Sequence, residues 1–109
     1  MTPTELVEQY FALAVDDDVE RYVALFADDA VVVDDGQERR GRHDLRAWRR
    51  DVPPVTYGVE AIDAGEGTAT ADAVVAGDFP DSPVRLGFAF AFDTDGRITA
   101  LSVRPRVVT

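Results

Sequence analysis

The sequence contains no cysteine, which excludes a disulfide framework, thiolate metal sites and a cysteine nucleophile together. It contains no lysine either: all 11 basic residues are arginines, set against 21 acids, and the net charge is −10 at pH 7. Such a surface repels a polyanion over most of its area, so nucleic acid is not an expected partner. The single histidine, His43, is too little nitrogen for a zinc or iron site, and no metal or other cofactor is expected. There is no phosphate-cradling glycine loop, no Gly-x-Ser-x-Gly elbow and no serine-histidine pairing. Asp16, Asp17 and Asp18 lack the glycine and terminal glutamate of a calcium loop. No apolar run approaches the ~18 to 20 residues that cross a bilayer. The opening Met-Thr-Pro-Thr-Glu lacks the basic and apolar regions of a signal peptide, so the expectation is a soluble, cytoplasmic protein with no membrane partner. What is left is carboxylate and tyrosine chemistry, in 109 residues that make one domain, 1–109, with room for one core and one modest pocket.

Thr2-Pro3-Thr4-Glu5 reads as a helix start, Thr2 and Glu5 forming a capping box around Pro3. The helix runs to about Val15 with Leu6, Tyr10, Leu13 and Ala14 along its apolar face and Val7 and Phe11 at one edge. A second box, Asp17 to Glu20, opens a short helix in which Val19, Tyr22, Val23 and Phe26 recur at the same spacing. Ala30 to Val33 is a β-branched run that reads as a strand ending at Asp34-Asp35-Gly36. Gly41 to about Asp51 reads as a third helix, with Leu45, Trp48 and Val52 on one side and His43 nearly opposite, stopped by Pro53-Pro54. Four strand-like segments follow: 55–63, 68–77, 84–93 and 97–108. The order ααβαββββ is that of an α+β chain, whose antiparallel meander is covered on one face by its helices.

In the segment 84–93, Leu86, Phe88, Phe90 and Phe92 alternate with Gly87, Ala89 and Ala91. The bulky face is expected to meet the helices and line any cavity between them. The smooth face invites close approach of another layer, and a homodimer through the sheet is an expectation of this pattern.

Gln9-Tyr10, Leu25-Phe26-Ala27-Asp28-Asp29-Ala30, Val33-Asp34 and the helix from Gly41 to Trp48 stand in an order that resembles the nuclear transport factor 2-like superfamily. Within it, the ketosteroid isomerase and polyketide cyclase-like branch, also called SnoaL-like, is the nearest likeness. The resemblance implies a cone: a strongly curved, mostly antiparallel sheet wrapped around three N-terminal helices and open at its wide end. In steroid isomerases of that branch a helix tyrosine donates to the substrate carbonyl and a strand aspartate moves the proton. The likeness therefore implies those roles for Tyr10 and Asp34. It also puts Phe88 where those enzymes carry a second donor, a protonated acid, which leaves Asp72, Tyr57 and Ser102 as candidate replacements.

The chemistry suits these residue types. A phenol in a dry cavity can donate to a developing enolate oxygen, and a carboxylate held by apolar walls against a carbon acid can act as general base. Asp35, adjacent in an extended strand, would point the other way. Phe26, Trp48, Phe88 and Phe90 are the expected pocket walls. Six of the eleven arginines fall between residues 39 and 50, either as a solvated face paired with carboxylates or as a hold for an anionic substrate tail. Two functional readings stand at this point. One is a small cofactor-free enzyme moving a proton alpha to the carbonyl of an apolar small-molecule ligand. The other is a noncatalytic ligand-binding or dimerisation module, in which Tyr10 and Asp34 only satisfy one another and the cone is filled.

Overall fold

A computed structural model describes residues 2–34, 36–52 and 54–105. Asp35, Pro53 and the last residues of the expected final strand lie outside the described residues. Helix α1 (Pro3–Ala14) begins with the expected capping box: the Glu5 N–H donates to Thr2 Oγ1 at 3.2 Å and the Thr2 N–H to Glu5 Oε1 at 3.0 Å. Its buried face is Val7, Tyr10, Phe11 and Leu13, so the stripe is turned toward Val7 and Phe11 and leaves Leu6 and Ala14 at its margin.

Helix α2 (Val19–Val23) is capped one residue later than expected, by Asp18, whose carboxylate accepts the Arg21 N–H. It stops at Val23. Phe26 opens strand β1 (Phe26–Asp34) instead of closing the helix. The chain then makes a strand absent from the expected order, β2 (Gln37–Arg40), before α3 (Gly41–Asp51). Asp34 pairs with Gln37 across two intervening residues, and Gly36 at φ 78° supplies the left-handed conformation such a tight hairpin needs. Strands β3 (Val55–Ala64), β4 (Thr68–Gly77), β5 (Val84–Phe92) and β6 (Ile98–Pro105) complete the chain. The element order is therefore ααββαββββ.

The six strands lie in one mixed sheet in the order β2-β1-β6-β5-β4-β3. β3 to β6 form the expected antiparallel meander, while β1 joins β6 in parallel. A parallel neighbour requires a long crossover, and helix α3 with four strands provides it. Helix α1 packs on β3 and β4, α3 on β1 and β2, and α2 bridges the two helices. All three helices thus cover one face.

The alternation in β5 sorts its side chains as expected. Phe88 and Phe90 are buried with Tyr10 and Phe11, in ring contacts of 5.0 to 6.5 Å between centroids. The small residues Gly87 and Ala89 line a second, polar concavity on the outer face with Asp72, Ser102 and Arg104. Register ties the inner face together: Asp34, Val103, Phe88, Ala71 and Ile62 stand in one row across β1, β6, β5, β4 and β3. That row carries the base candidate into the concave side.

Candidate functional site

Asp34 closes a strand whose even-numbered residues, Ala30 and Val32, are buried beneath the helices. Extended backbone turns every second side chain to the same face, so Asp34 follows them inward at the strand's end. There it meets a cavity of about 330 Å³, open on one side and bounded by all three helices and every strand but β2. The volume is at the low end of the ~300 to 1,000 Å³ usual for small-molecule sites. Its walls are mainly Val52, Val55, Val75, Phe79, Leu86 and Phe88. The polar groups are few and convergent: Asp34, Trp48, Arg49 and all three tyrosines of the chain, Tyr10, Tyr22 and Tyr57.

Two hydrogen bonds fix this set. Trp48 Nε1 on α3 donates to Asp34 Oδ2 at 3.0 Å, which orients the carboxylate and leaves Oδ1 for another partner. The Tyr22 hydroxyl donates to the Tyr10 hydroxyl at 3.2 Å, both rings being 1% exposed. Each phenol has one proton. When Tyr22 gives its own to Tyr10, the Tyr10 proton is free for the cavity. Tyr10 and Asp34 therefore meet different partners among the described residues and do not satisfy one another.

Burial pushes the Tyr10 hydroxyl well above the ordinary phenol value, and the neighbouring Tyr22, Tyr57 and Asp34 push it the same way. Tyr22 is raised chiefly by burial, against the opposing effect of its bond to Tyr10, and Tyr57 is raised by burial against the opposing charge of Arg49. All three remain neutral donors through the physiological range. The linkage sign follows: below ~10 the tyrosines are neutral in both states, and above it they ionise in the unfolded chain first. Stability is expected to be level up to about pH 10 and then to fall, by up to ~1.4 kcal/mol per pH unit for each such tyrosine. Urea titrations across that range test this. Tyr10→Phe should make the decline shallower, and a flat profile in the wild type would contradict it.

Of the residues singled out in the sequence, Tyr10, Asp34, Trp48 and Phe88 line the cavity. Phe26 and Phe90 do not. They sit beneath Tyr10 in the core, with ring centroids 6.3 and 5.2 Å from it, and hold the tyrosine in place from behind. Among the candidate second donors, Tyr57 lines the cavity, while Asp72 and Ser102 face the outer concavity. His43 is exposed, as its position opposite Leu45 and Trp48 implies.

Tyr22 is the residue that sequence reasoning passed over, reading it as core packing. Its signal was present: it is a phenol on the same helical stripe as Val19 and Val23, and a buried phenol needs a partner. The arginines divide. Arg42 pairs with Asp28 at 3.0 Å and Arg46 with Glu20 at 2.9 Å, as a solvated face would. Arg49 instead lines the cavity.

Comparison with known proteins agrees with this architecture. Residues 7–101 match the model of a family described as a SnoaL-like domain. No curated protein matches the chain. A Sinorhizobium meliloti protein provisionally assigned as a polyketide cyclase is 29% identical, with a TM-score of 0.84 over 92% of this chain and 94% of that one. A protein from Sphaerobacter thermophilus superimposes with a TM-score of 0.87 at 24% identity, over 99% of each chain. A Catenulispora acidiphila protein of ketosteroid isomerase-like fold, solved with trimethylamine, gives 0.82 at 20% identity, over 98% of this chain and 88% of that one.

Proposed function

We propose that this chain, which belongs to the SnoaL-like domain family, is a small acid/base enzyme that moves a proton alpha to the carbonyl of an apolar ligand. The observation that carries the proposal is one apolar cavity reached from opposite elements by a carboxylate and a phenol pair, each anchored by a neighbour other than its counterpart. Asp34 is the base. Its free carboxylate oxygen takes the proton from the carbon next to the carbonyl, the C–H electron pair moves into a carbon–carbon double bond, and the carbonyl oxygen becomes an enolate oxygen. Tyr10 donates to that oxygen, supported by Tyr22. The protonated Asp34 then returns the proton to another carbon of the same enolate, completing an isomerisation without net loss or gain of atoms. In a cyclase the same enolate carbon would attack a second carbonyl and Asp34 would protonate the new alkoxide.

The position two strands from Asp34 along its row is Phe88, at a lateral distance of ~10 Å. A phenylalanine donates nothing, so the second oxyanion donor of the steroid isomerases has no counterpart there. The Tyr10–Tyr22 pair supports the same oxygen through a shared hydrogen bond, and Tyr57 adds a third hydroxyl on the cavity wall. Trp48 is a positioning residue that acts through Asp34.

The test is migration of the double bond of a β,γ-unsaturated ketone into conjugation, followed by ultraviolet absorbance. Wild-type protein is expected to exceed the buffer rate and to be inhibited by a phenol that mimics the enolate. Equality with buffer for small cyclic ketones that demonstrably bind would remove the catalytic reading and leave a binding module.

A further inference from the structure

Asp34 and Arg49 are the two charged side chains among the described residues that line the cavity. Among the described residues, no carboxylate pairs with Arg49. Its Nη2 donates to the backbone carbonyl of Asp16 at 2.8 Å, its guanidinium carbon lies 5.4 Å from the centre of the Tyr22 ring, and its Nε is buried without a partner among the described residues. The other arginines on the inner turns of α3 are engaged differently. Arg46 forms a two-pronged contact with Glu20, at 2.9 Å for both bonds. Arg42 also has an unpartnered Nε, but its terminal nitrogens already hold the Asp28 carboxylate at 3.0 Å and the Phe26 carbonyl at 2.9 Å. In a chain with 21 acids, a cation that lines an apolar cavity and has no carboxylate partner among the described residues is open to one from a ligand.

We propose that Arg49 is a specificity-determining residue that binds a carboxylate of the ligand, so that the substrate class is an apolar carbonyl compound carrying one carboxylate. This rests on the proton-transfer reading for the carbonyl end only. Arg49 covers Tyr22, and Tyr22 covers Tyr10 at 5.5 Å between ring centroids. A ligand whose carbonyl oxygen meets Tyr10 therefore presents its far edge to the guanidinium. A single cation suits the single charge of a carboxylate better than a phosphate, which draws several donors. Arg49 also offsets Asp34: a carboxylated ligand enters a cavity whose two charged walls sum to zero, with its own charge beside the positive one.

The experiment measures affinity for two probes, 2-naphthol, which offers a phenol alone, and 6-hydroxy-2-naphthoate, which adds a carboxylate at the opposite end. Wild-type protein is expected to bind the acid about ten-fold or more tightly than the alcohol, the worth of one charge-assisted hydrogen bond. Arg49→Gln should erase that preference with little change in the affinity for 2-naphthol, and Arg49→Lys should keep part of it, since charge survives and the planar fork does not. Tyr10→Phe should weaken both probes by the same factor and leave the ratio intact. A wild-type ratio near one, or a loss of both affinities together in Arg49→Gln that Arg49→Lys shares, overturns the proposal. An intact ratio with no effect of Tyr10→Phe would instead overturn the carbonyl assignment while sparing the carboxylate site.

Discussion

Asp34→Asn is expected to lower the rate of double-bond migration by about 10² to 10⁴, the usual contribution of a positioned general base. The substitution is a close one. Asparagine keeps the size of the side chain and an oxygen that can accept from Trp48 Nε1, so the bond at 3.0 Å and the shape of the wall are preserved. What is removed is the capacity to take and return a proton. The negative charge also disappears from a cavity that, in the proposed reaction, accommodates enolate character, and a phenol probe should bind the variant as tightly as the wild type or more tightly. The pairing of a collapsed rate with undiminished binding is the informative result, because a variant that merely misfolds would lose both. Rate and dissociation constant should be measured on the same preparation. A rate within a few-fold of wild type would take the base role from Asp34.

The sequence carried the helices and the meander and singled out Tyr10 and Asp34, which line the cavity, and the helices and strands were legible through local signals. The Thr2-Glu5 capping box and the bulky-small alternation from Leu86 to Phe92 each specify an element without reference to anything distant. The failures were of two kinds. Strand β2 was announced by Asp35-Gly36, a strong hairpin turn, but the four residues after it, Gln-Glu-Arg-Arg, have no apolar alternation. They form a strand only because β1 offers an edge to pair with. The parallel pairing of β1 with β6 depends on residues more than sixty positions apart, such as Val32 and Leu101, and no local pattern reports it. The site follows the same division. Asp34 and Tyr10 could be placed by periodicity and likeness, whereas the Tyr10–Tyr22 bond and the separation of Arg49 from Arg42 and Arg46 exist only once α2 lies against α1 and α3.

Tyr10→Phe is expected to cost about 10² to 10³ in kcat, the loss that follows removal of one donor from an oxyanion site. Its ring is locked by contacts with Phe11, Tyr22, Phe26 and Phe90, all between 5.2 and 6.3 Å from centroid to centroid, so phenylalanine fills the same volume and only the hydroxyl is lost. Tyr22→Phe should cost less, because Tyr22 acts through Tyr10: it donates its one proton to the Tyr10 oxygen and leaves the Tyr10 proton for the proposed oxyanion. The two losses then do not add. In a double-mutant cycle the doubly substituted protein should be about as slow as Tyr10→Phe alone, since Tyr22 has nothing left to support. Each variant also forfeits a buried hydrogen bond worth ~0.5 to 1.5 kcal/mol of stability, so urea denaturation must accompany the kinetics and the rates be taken where every variant is folded. Additive losses would mean that Tyr22 reaches the substrate oxygen by itself, and an undiminished rate in Tyr10→Phe would mean that the oxyanion is held elsewhere, with Tyr57 the next hydroxyl on the wall to replace.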